Sequence, residues 1–421
     1  MKMKRMDAAT LVEAKLLRKL GWSIRDLANS LGVSKSAAGR ALKGESNSPL
    51  SNKDKKEGDQ QVLSYLKDRA AGLDLDNSVA RSRGIAVNAA RDRLFLEQTE
   101  ASLSKLLYCR YYVGKEYRPL KSSGHAKTQR ILNLVLSDLH YGALLDKREV
   151  PTQYGHVEEA RRTAAVVLQA SEYKLQYRDE TELYVHLLGD LIQNQLHDMR
   201  DGAPLAEQVA SAIHLLVQAV VFLSGRFKKV TVFCTPGNHG RNTARHPDRA
   251  TCQKWDSIES MIYFAIKTAV KHIHNVTVEL PYTPFYTYKA FGMSGFMTHG
   301  DTVLRPGYPN RAIEVEGVRK QINEINAKLE LNERHRLFVV GHVHVASYCK
   351  LPNGVVFMSN GCLIPTDAYA QSIGITETAC CQSLFETVPG IMVGDRREAD
   401  VDESVDRDHS LDRIIQPFTG L

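Results

Sequence analysis

The sequence has no uninterrupted run of ~18 apolar residues, the length a membrane-spanning helix needs, although 43% of its 421 residues are hydrophobic. It starts MKMKRMDAATLVEAKLLRKLGW, charged but without a long apolar stretch or a small-residue cleavage site, so it does not read as a secretory signal. The expectation is a cytoplasmic protein with no membrane partner. Cysteine is sparse and unpatterned: Cys109, Cys234, Cys252, Cys349, Cys362, Cys380 and Cys381 are odd in number and lack any CxxC spacing. That argues against a disulfide framework and for reduced thiols. The adjacent Cys380 and Cys381 read as two small buried hydrophobes in preference to a redox pair.

Charge is present but unevenly placed. Residues 1–130 carry 26 Lys+Arg against 14 Asp+Glu, or +12, whereas the remainder carries 29 against 34, or −5. A basic front end is what contact with a phosphate backbone requires, and a solvated basic surface gives the same count.

In residues 1–45 Leu11, Leu16, Leu17 and Leu20 form one apolar helical face before Gly21. In SIRDLANSLGVSKSAAGRALKG, Ala28 is small where two helices approach, Gly32 supplies a turn, Val33 plugs the core, and Ser34 caps a second helix carrying Lys35, Ser36 and Arg40 outward. Those 22 residues resemble the helix-turn-helix of bacterial repressors and resolvases, which makes Lys35, Ser36 and Arg40 candidate DNA contacts. A helical hairpin with no nucleic-acid role stays open. Residues 46–61 read as a polar linker, 62–120 as helical and 121–130 as a second basic connection. Within 62–120, Ala80, Gly84, Ile85, Ala89 and Ala90 repeat the offsets of Ala28, Gly32, Val33, Ala37 and Ala38, a candidate second helix-turn-helix.

From residue 131 to 421 apolar runs of strand length (ILNLVL, LYVHLL, VTVFC, FVV) alternate with helical stretches at 156–177, 205–226, 255–274 and 312–330, an α/β pattern. Polar residues capable of chemistry stand at the strand ends. ILNLVL runs into Ser137-Asp138-Leu139-His140, and alternate residues of extended chain share a face, so Asp138 and His140 can act together. The other strand ends carry Gly189-Asp190, Gly237-Asn238-His239, His299-Gly300 and Gly341-His342-Val343-His344. Singly, each has a bland reading as a turn or a satisfied polar group.

In order, DxH, GD, GNH, HG and GHxH over residues 138–344 resemble the calcineurin-like metallophosphoesterase superfamily. The resemblance implies a four-layer αββα sandwich, here preceded by a small all-α region. It also implies two divalent cations, since a pair ~3.5 to 4 Å apart can clamp a phosphate and acidify a water between them. Carried onto this chain, Asp190 bridges, Asp138, His140 and His344 complete one cation, and Asn238, His299 and His342 the other. His239 stays unligated and contacts the scissile phosphate or protonates the leaving oxygen. Mixed His, Asp and Asn ligation suits Mn²⁺ first, with Fe, Zn or Mg as substitutes.

Two departures stand out. Where the family commonly has an acidic residue after GDxx, this chain has Gln193 and Asn194, and where it has Asp or Glu after GNH, this chain has Gly240 and Arg241. An acidic orienter for His239 is therefore missing, and Arg241 becomes a candidate phosphate ligand. GDxVDRG and RGNHE, the protein serine/threonine phosphatase signatures, are absent. Of the other histidines, His186 reads as core-facing, His197 as a candidate groove residue, and His246, His272 and His274 as ordinary polar residues. In the C-terminal region LPNGVVFMSNGC predicts a hairpin turning at Asn353-Gly354. The acidic tract DRREADVDESVDRD reads as solvated surface or as an internal mimic of nucleic acid.

The best sequence-level reading is a metal-dependent DNA nuclease akin to the nuclease subunits of double-strand-break repair complexes and their phage-encoded relatives, brought to DNA by the basic front end. A small-molecule phosphatase or cyclic-nucleotide phosphodiesterase is the second reading, and a DNA-binding regulator with an inert phosphoesterase domain the third. A homo-oligomer is compatible with all three.

Overall fold

The strands RILNLVL, MSGFMT and VFMS are buried along almost their whole length, which is what central strands covered on both faces require. Edge strands differ: FYTYKA alternates, with Tyr286, Tyr288 and Ala290 inward and Thr287 and Lys289 exposed, and RREAD is charged. The computed structural model describes residues 129–173, 181–194, 202–242, 254–306, 313–372 and 379–420, together with Ile24. Ile24 aside, these lie in the second of two compact units, Met1–Asn88 and Ala89–Leu421. The expectations for Lys35, Ser36 and Arg40, for both linkers up to residue 128 and for the repeat at 80–90 fall outside the described residues, as do His197 and His246.

In chain order the elements are β1 (Arg130–Leu136), α1 (His156–Glu172), β2 (Thr181–Leu187), α2 (Leu205–Ser224), β3 (Lys229–Cys234), α3 (Ile258–Val270), β4 (Val276–Glu279), β5 (Phe285–Ala290), β6 (Met293–Thr298), α4 (Val315–Ala327), β7 (His335–Val340), β8 (Ser347–Lys350), β9 (Val356–Ser359), α5 (Ala368–Ser372), β10 (Cys381–Thr387), β11 (Arg396–Asp400), α6 (Glu403–Asp406) and a 3₁₀ turn at His409–Arg413. One sheet runs β11-β10-β1-β2-β3-β4 and the other β5-β6-β7-β9-β8. β1 to β4 pair in parallel, as do β6, β7 and β9, while the outer pairs are antiparallel. β1 begins at Arg130, one residue inside the segment read as linker, because Arg130 pairs with Thr181 and its guanidinium with Glu386.

Period-two alternation sorts the core into layers. Leu132, Leu134 and Leu136 of β1 join Leu183, Val185 and Leu187 of β2 under α1, α2 and α3. The opposite face, with Ile131 and Val135, meets Met297, Leu337, Val339 and Met358 of the second sheet. Phe296, Phe338, Val340 and Phe357 then pack outward on Val318 and Ile322 of α4. The result is the four-layer αββα sandwich. α2 is long and apolar enough by length and composition to cross a membrane, yet 13 of its 20 residues are buried, with its apolar side inside the first helical layer.

Between the sheets lies one polar chain. His186, stacked at 11° on Phe233 and 7° on Tyr286, accepts from the Tyr286 hydroxyl (2.5 Å) and donates from Nε2 to Asn133 Oδ1 (2.9 Å). Asn133 donates in turn to Thr387 Oγ1 (3.0 Å). Burial pushes His186 down to about 3, so the ring is neutral and the chain needs no counter-charge. The hairpin is as the sequence indicates: β8 and β9 pair antiparallel, and Gly354 sits at φ 81° beside Asn353.

The acidic tract needs correcting in part. Most of its acids are solvent-exposed, as read, but Arg396–Asp400 forms β11, and Asp406, with Asp412 beyond the tract, clasps α1. Asp406 takes a two-pronged bond from the buried Arg162, whose Nη1 also donates to the Leu363 carbonyl at 2.8 Å. A buried guanidinium left unpaired would be costly, so the tail's carboxylates pair with it.

Candidate metal centre

The C-terminal ends of β1, β2, β3, β6 and β7 meet where the two sheets face each other, and each delivers a polar side chain from the turn that follows it. Backbone bonds lace the turns together: Asp138 N–H donates to the Gly189 carbonyl, and Leu139 and His140 N–H to that of Asp190. Gly341 N–H donates to the His299 carbonyl. The glycines of the GD and GNH motifs are there for close approach. A Cβ on Gly189 (φ +84°) would fall 2.2 Å from Gly237 N, and one on Gly237 would fall 2.1 Å from Asp190 Oδ1.

Asp138, His140, Asp190, His342 and His344 all adopt left-handed backbone, with φ of 54°, 49°, 51°, 71° and 57°. Such conformations cost on the order of 1–3 kcal/mol each in non-glycine residues and persist where surrounding structure enforces them. The strain buys convergence. Single donor atoms of Asp138, His140 and His344 lie within 4.8 Å of one another, as do those of Asp190, His299 and His342, and those of His140, Asp190 and His239. Asn238 Oδ1 stands 3.0 Å from His299 Nε2. All eight residues expected from the sequence are thus in one cluster.

The hydrogen-bond pattern tests whether cations fit. His299 Nδ1 donates to the Leu188 carbonyl (2.7 Å), which turns Nε2 toward Asp190 Oδ2 and Asn238 Oδ1, each at 3.0 Å. Three acceptors turned on one another repel unless a proton or a cation stands among them. His140 Nδ1 likewise donates to Gln193 Oε1 (2.7 Å), so its Nε2 lone pair faces His344 Nε2 at 3.2 Å, with Asp138 Oδ1 3.4 Å from His344 Nε2. Nitrogen and oxygen donors of this kind, locked by second partners, are what borderline divalent cations take.

Electrostatics without cations carry the same message. Burial works to raise the Asp190 carboxyl, but the charges of His299 and His239 outweigh it and hold the group well below its usual range. Burial likewise works against Asp138, which is lowered by its bond and charge interaction with His344. Burial alone would lower His299, yet Asp190 lifts it to about 9, while burial and the neighbouring His299 take His342 down to about 4. Both carboxylates are ionised at neutral pH and demand positive charge.

His239 has an orienter after all. Its Nδ1 donates to the Gln193 carbonyl oxygen at 2.6 Å, which orients the ring. Its backbone N–H donates to Asp190 Oδ1 at 2.7 Å. Gln193 and Asn194, where acidic residues were missed in the motif, therefore have tasks: Gln193 orients two histidines, and Asn194 (φ 55°) donates to the His239 and Arg241 carbonyls. Arg241 Nε donates to the Asn238 carbonyl at 2.8 Å, which ties it to the GNH turn. Sequence reasoning missed Glu259 and the buried Lys254–Asp301 pair, which carry no motif; Asp301 interacts with His299 and His342.

A scan against family models finds no match, and a comparison with curated proteins finds none. Among solved structures the chain is similar to a dimetal phosphatase from Danio rerio, at 13% identity over 65% of this chain and 99% of that one, with a TM-score of 0.33. It is similar to a calcineurin-like phosphoesterase from Bacillus subtilis, at 12% identity over 69% and 96%, with a TM-score of 0.30. It is similar to a 5'-nucleotidase from Candida albicans SC5314, at 10% identity over 70% of this chain and 56% of that one, with a TM-score of 0.31. These TM-scores are too low for superposition to carry weight, and the functional reading rests on the geometry of the centre itself.

Proposed function

We propose that the chain is a two-metal phosphoesterase of the calcineurin-like superfamily that hydrolyses phosphodiester bonds of DNA in the cytoplasm. The observation that carries the chemistry is the convergence of Asp138, His140, Asp190, Asn238, His299, His342 and His344, with His140 and His299 anchored through Nδ1 so that Nε2 faces inward. When bound, two divalent cations, Mn²⁺ by preference, would neutralise phosphate charge and acidify a water for in-line attack.

The chain's own residues do the rest. Asp190, between the two donor groups, is placed to serve both. His239, anchored through Nδ1, delivers a proton from Nε2 to the departing sugar oxygen. Arg241, tied to the GNH turn, is placed to meet a phosphate oxygen. The +12 balance over residues 1–130 supports DNA as the substrate, because a basic module tethered to the centre raises the local concentration of phosphodiesters.

Digestion of end-labelled single-stranded, double-stranded and circular DNA with Mn²⁺, alongside a chromogenic bis-ester, tests the proposal. Metal-dependent cleavage of DNA is expected. Turnover of the bis-ester with no cut in any DNA would replace the nuclease by a small-molecule phosphodiesterase, and no turnover of either, with no bound metal, would leave a regulator with an inert domain.

A further inference from the structure

Glu259 is a carboxylate with no accessible surface, in the first turn of α3, where neither motif nor ion pair explains it. Its Oε1 accepts the backbone N–H of Leu191 at 2.5 Å, and its Oε2 accepts that of Gly237 at 2.6 Å. Leu191 directly follows Asp190, and Gly237 directly precedes Asn238. One side chain therefore grips two of the loops that form the second donor group, at the residue next to a donor in each.

The grip has a cost in space. A Cβ on Gly240 would fall 2.4 Å from Glu259 Cγ and 2.6 Å from its Cδ, so residue 240 must be bare for the carboxylate to reach. Gly240 also accepts the N–H of Ile258 at 2.8 Å, seating the start of α3 on the GNH turn. The helix thus brings a carboxylate against the GNH turn, into room that the glycine at 240 leaves.

We infer that Glu259 is a positioning residue that sets the separation of the Asp190 and Asn238 loops, with Gly240 as its required partner, and that it governs occupancy of the Asp190–Asn238–His299–His342 site, which takes a donor from each of those loops, more than of the Asp138–His140–His344 site, which shares Asp190 alone. The inference rests on reading the centre as binding two cations. Asp138, His140 and His344 make no bond to Glu259, so a spacing error between its two loops falls most heavily on the site that takes both Asp190 and Asn238. Replacing an outer partner of a metal ligand typically costs ~10–100-fold in affinity.

The experiment is Mn²⁺ titration of the full chain by calorimetry, with electron paramagnetic resonance of the loaded protein and a melting curve for each variant. The wild type should take two equivalents and show a spin-coupled pair. Glu259→Gln, which turns one acceptor into a donor against a backbone N–H, should keep one tight equivalent, weaken the other ~10–100-fold and show the uncoupled six-line signal. Gly240→Ala leaves the carboxylate intact and only displaces it, so it should give the same split even if Glu259→Gln does not fold. Two equivalents at wild-type affinity in both variants, or equal loss of both at an unchanged melting temperature, would overturn the inference. Fewer than two equivalents in the wild type would refute the two-cation reading itself, and this inference with it.

Discussion

Nε2 of His140 faces Nε2 of His344 across 3.2 Å, and neither nitrogen has another partner that would turn it away from the cluster among the bonds the two rings make. These two nitrogens and Asp138 Oδ1, 3.4 Å from His344 Nε2, are gathered by left-handed turns whose strain a cation among them would offset. Chelation should therefore lower the melting temperature, and Mn²⁺ should raise it in a concentration-dependent way. A ligand at 100 times its dissociation constant stabilises by about 2.7 kcal/mol. A melting temperature indifferent to both additions would contradict the assignment.

Asp190 stands between the two donor groups, with Oδ2 near His299 and Oδ1 taking the His239 N–H. Asp190→Asn keeps the shape but removes the charge that both groups share. Turnover should fall by about 10²–10³-fold, the usual worth of such an electrostatic term. Metal analysis should show fewer than two equivalents. Wild-type cleavage by the purified variant would sink the role.

His239 is not needed to hold either donor group in place, so its loss should separate chemistry from binding. His239→Asn should retain two cations while lowering kcat by about 10²–10⁴-fold, the usual contribution of a positioned proton donor. Loss of cations in step with activity would make it a ligand instead.

His186 gives a pH signature of folding. Its pKa drops from an unfolded 6.5 to about 3 through burial, so the unfolded chain binds the extra proton between those values. The stability it contributes is complete above pH 6.5 and is lost as pH falls towards 3, with a slope of at most about 1.4 kcal/mol per pH unit. His186→Phe should be less stable at pH 7, because the Tyr286 hydroxyl and Asn133 lose a partner, and should show a flatter decline on acidification. Parallel wild-type and variant curves from urea unfolding at several pH values would refute this.

Arg162 joins the C-terminal clasp to the centre, through Asp406 on one side and, on the other, the Leu363 carbonyl, while Leu363 N–H donates to the Asp138 carbonyl. Arg162→Met leaves the Asp406 carboxylate and that carbonyl without their donor. A cost of about 3–5 kcal/mol is expected for breaking such a buried pair, read from the urea midpoint. A change below about 1 kcal/mol would mean that water replaces the guanidinium freely.

The strand ends were legible because the ligands follow buried apolar runs, and at Asp190 and Asn238 a glycine whose missing Cβ admits a neighbouring loop marks the spot, Gly189 and Gly237. Period-two patterning likewise exposed β1, β2, β3, β6 and β7. Gln193 and Asn194 were visible only as departures, because an amide that orients a ring has no fixed residue type. Glu259 was invisible, since its partners are backbone N–H groups, which any sequence supplies. The clasp was not legible because charge density alone cannot tell the exposed acids of the tract from the one that faces the buried Arg162.

The left-handed turns also constrain how this protein could change over generations. At positions 138, 140, 190, 342 and 344 the backbone tolerates glycine, asparagine, aspartate and histidine but resists valine, isoleucine and threonine. A descendant drifting away from catalysis would thus shed its ligands mostly through glycine and asparagine, so that the shape of the centre would outlast its chemistry.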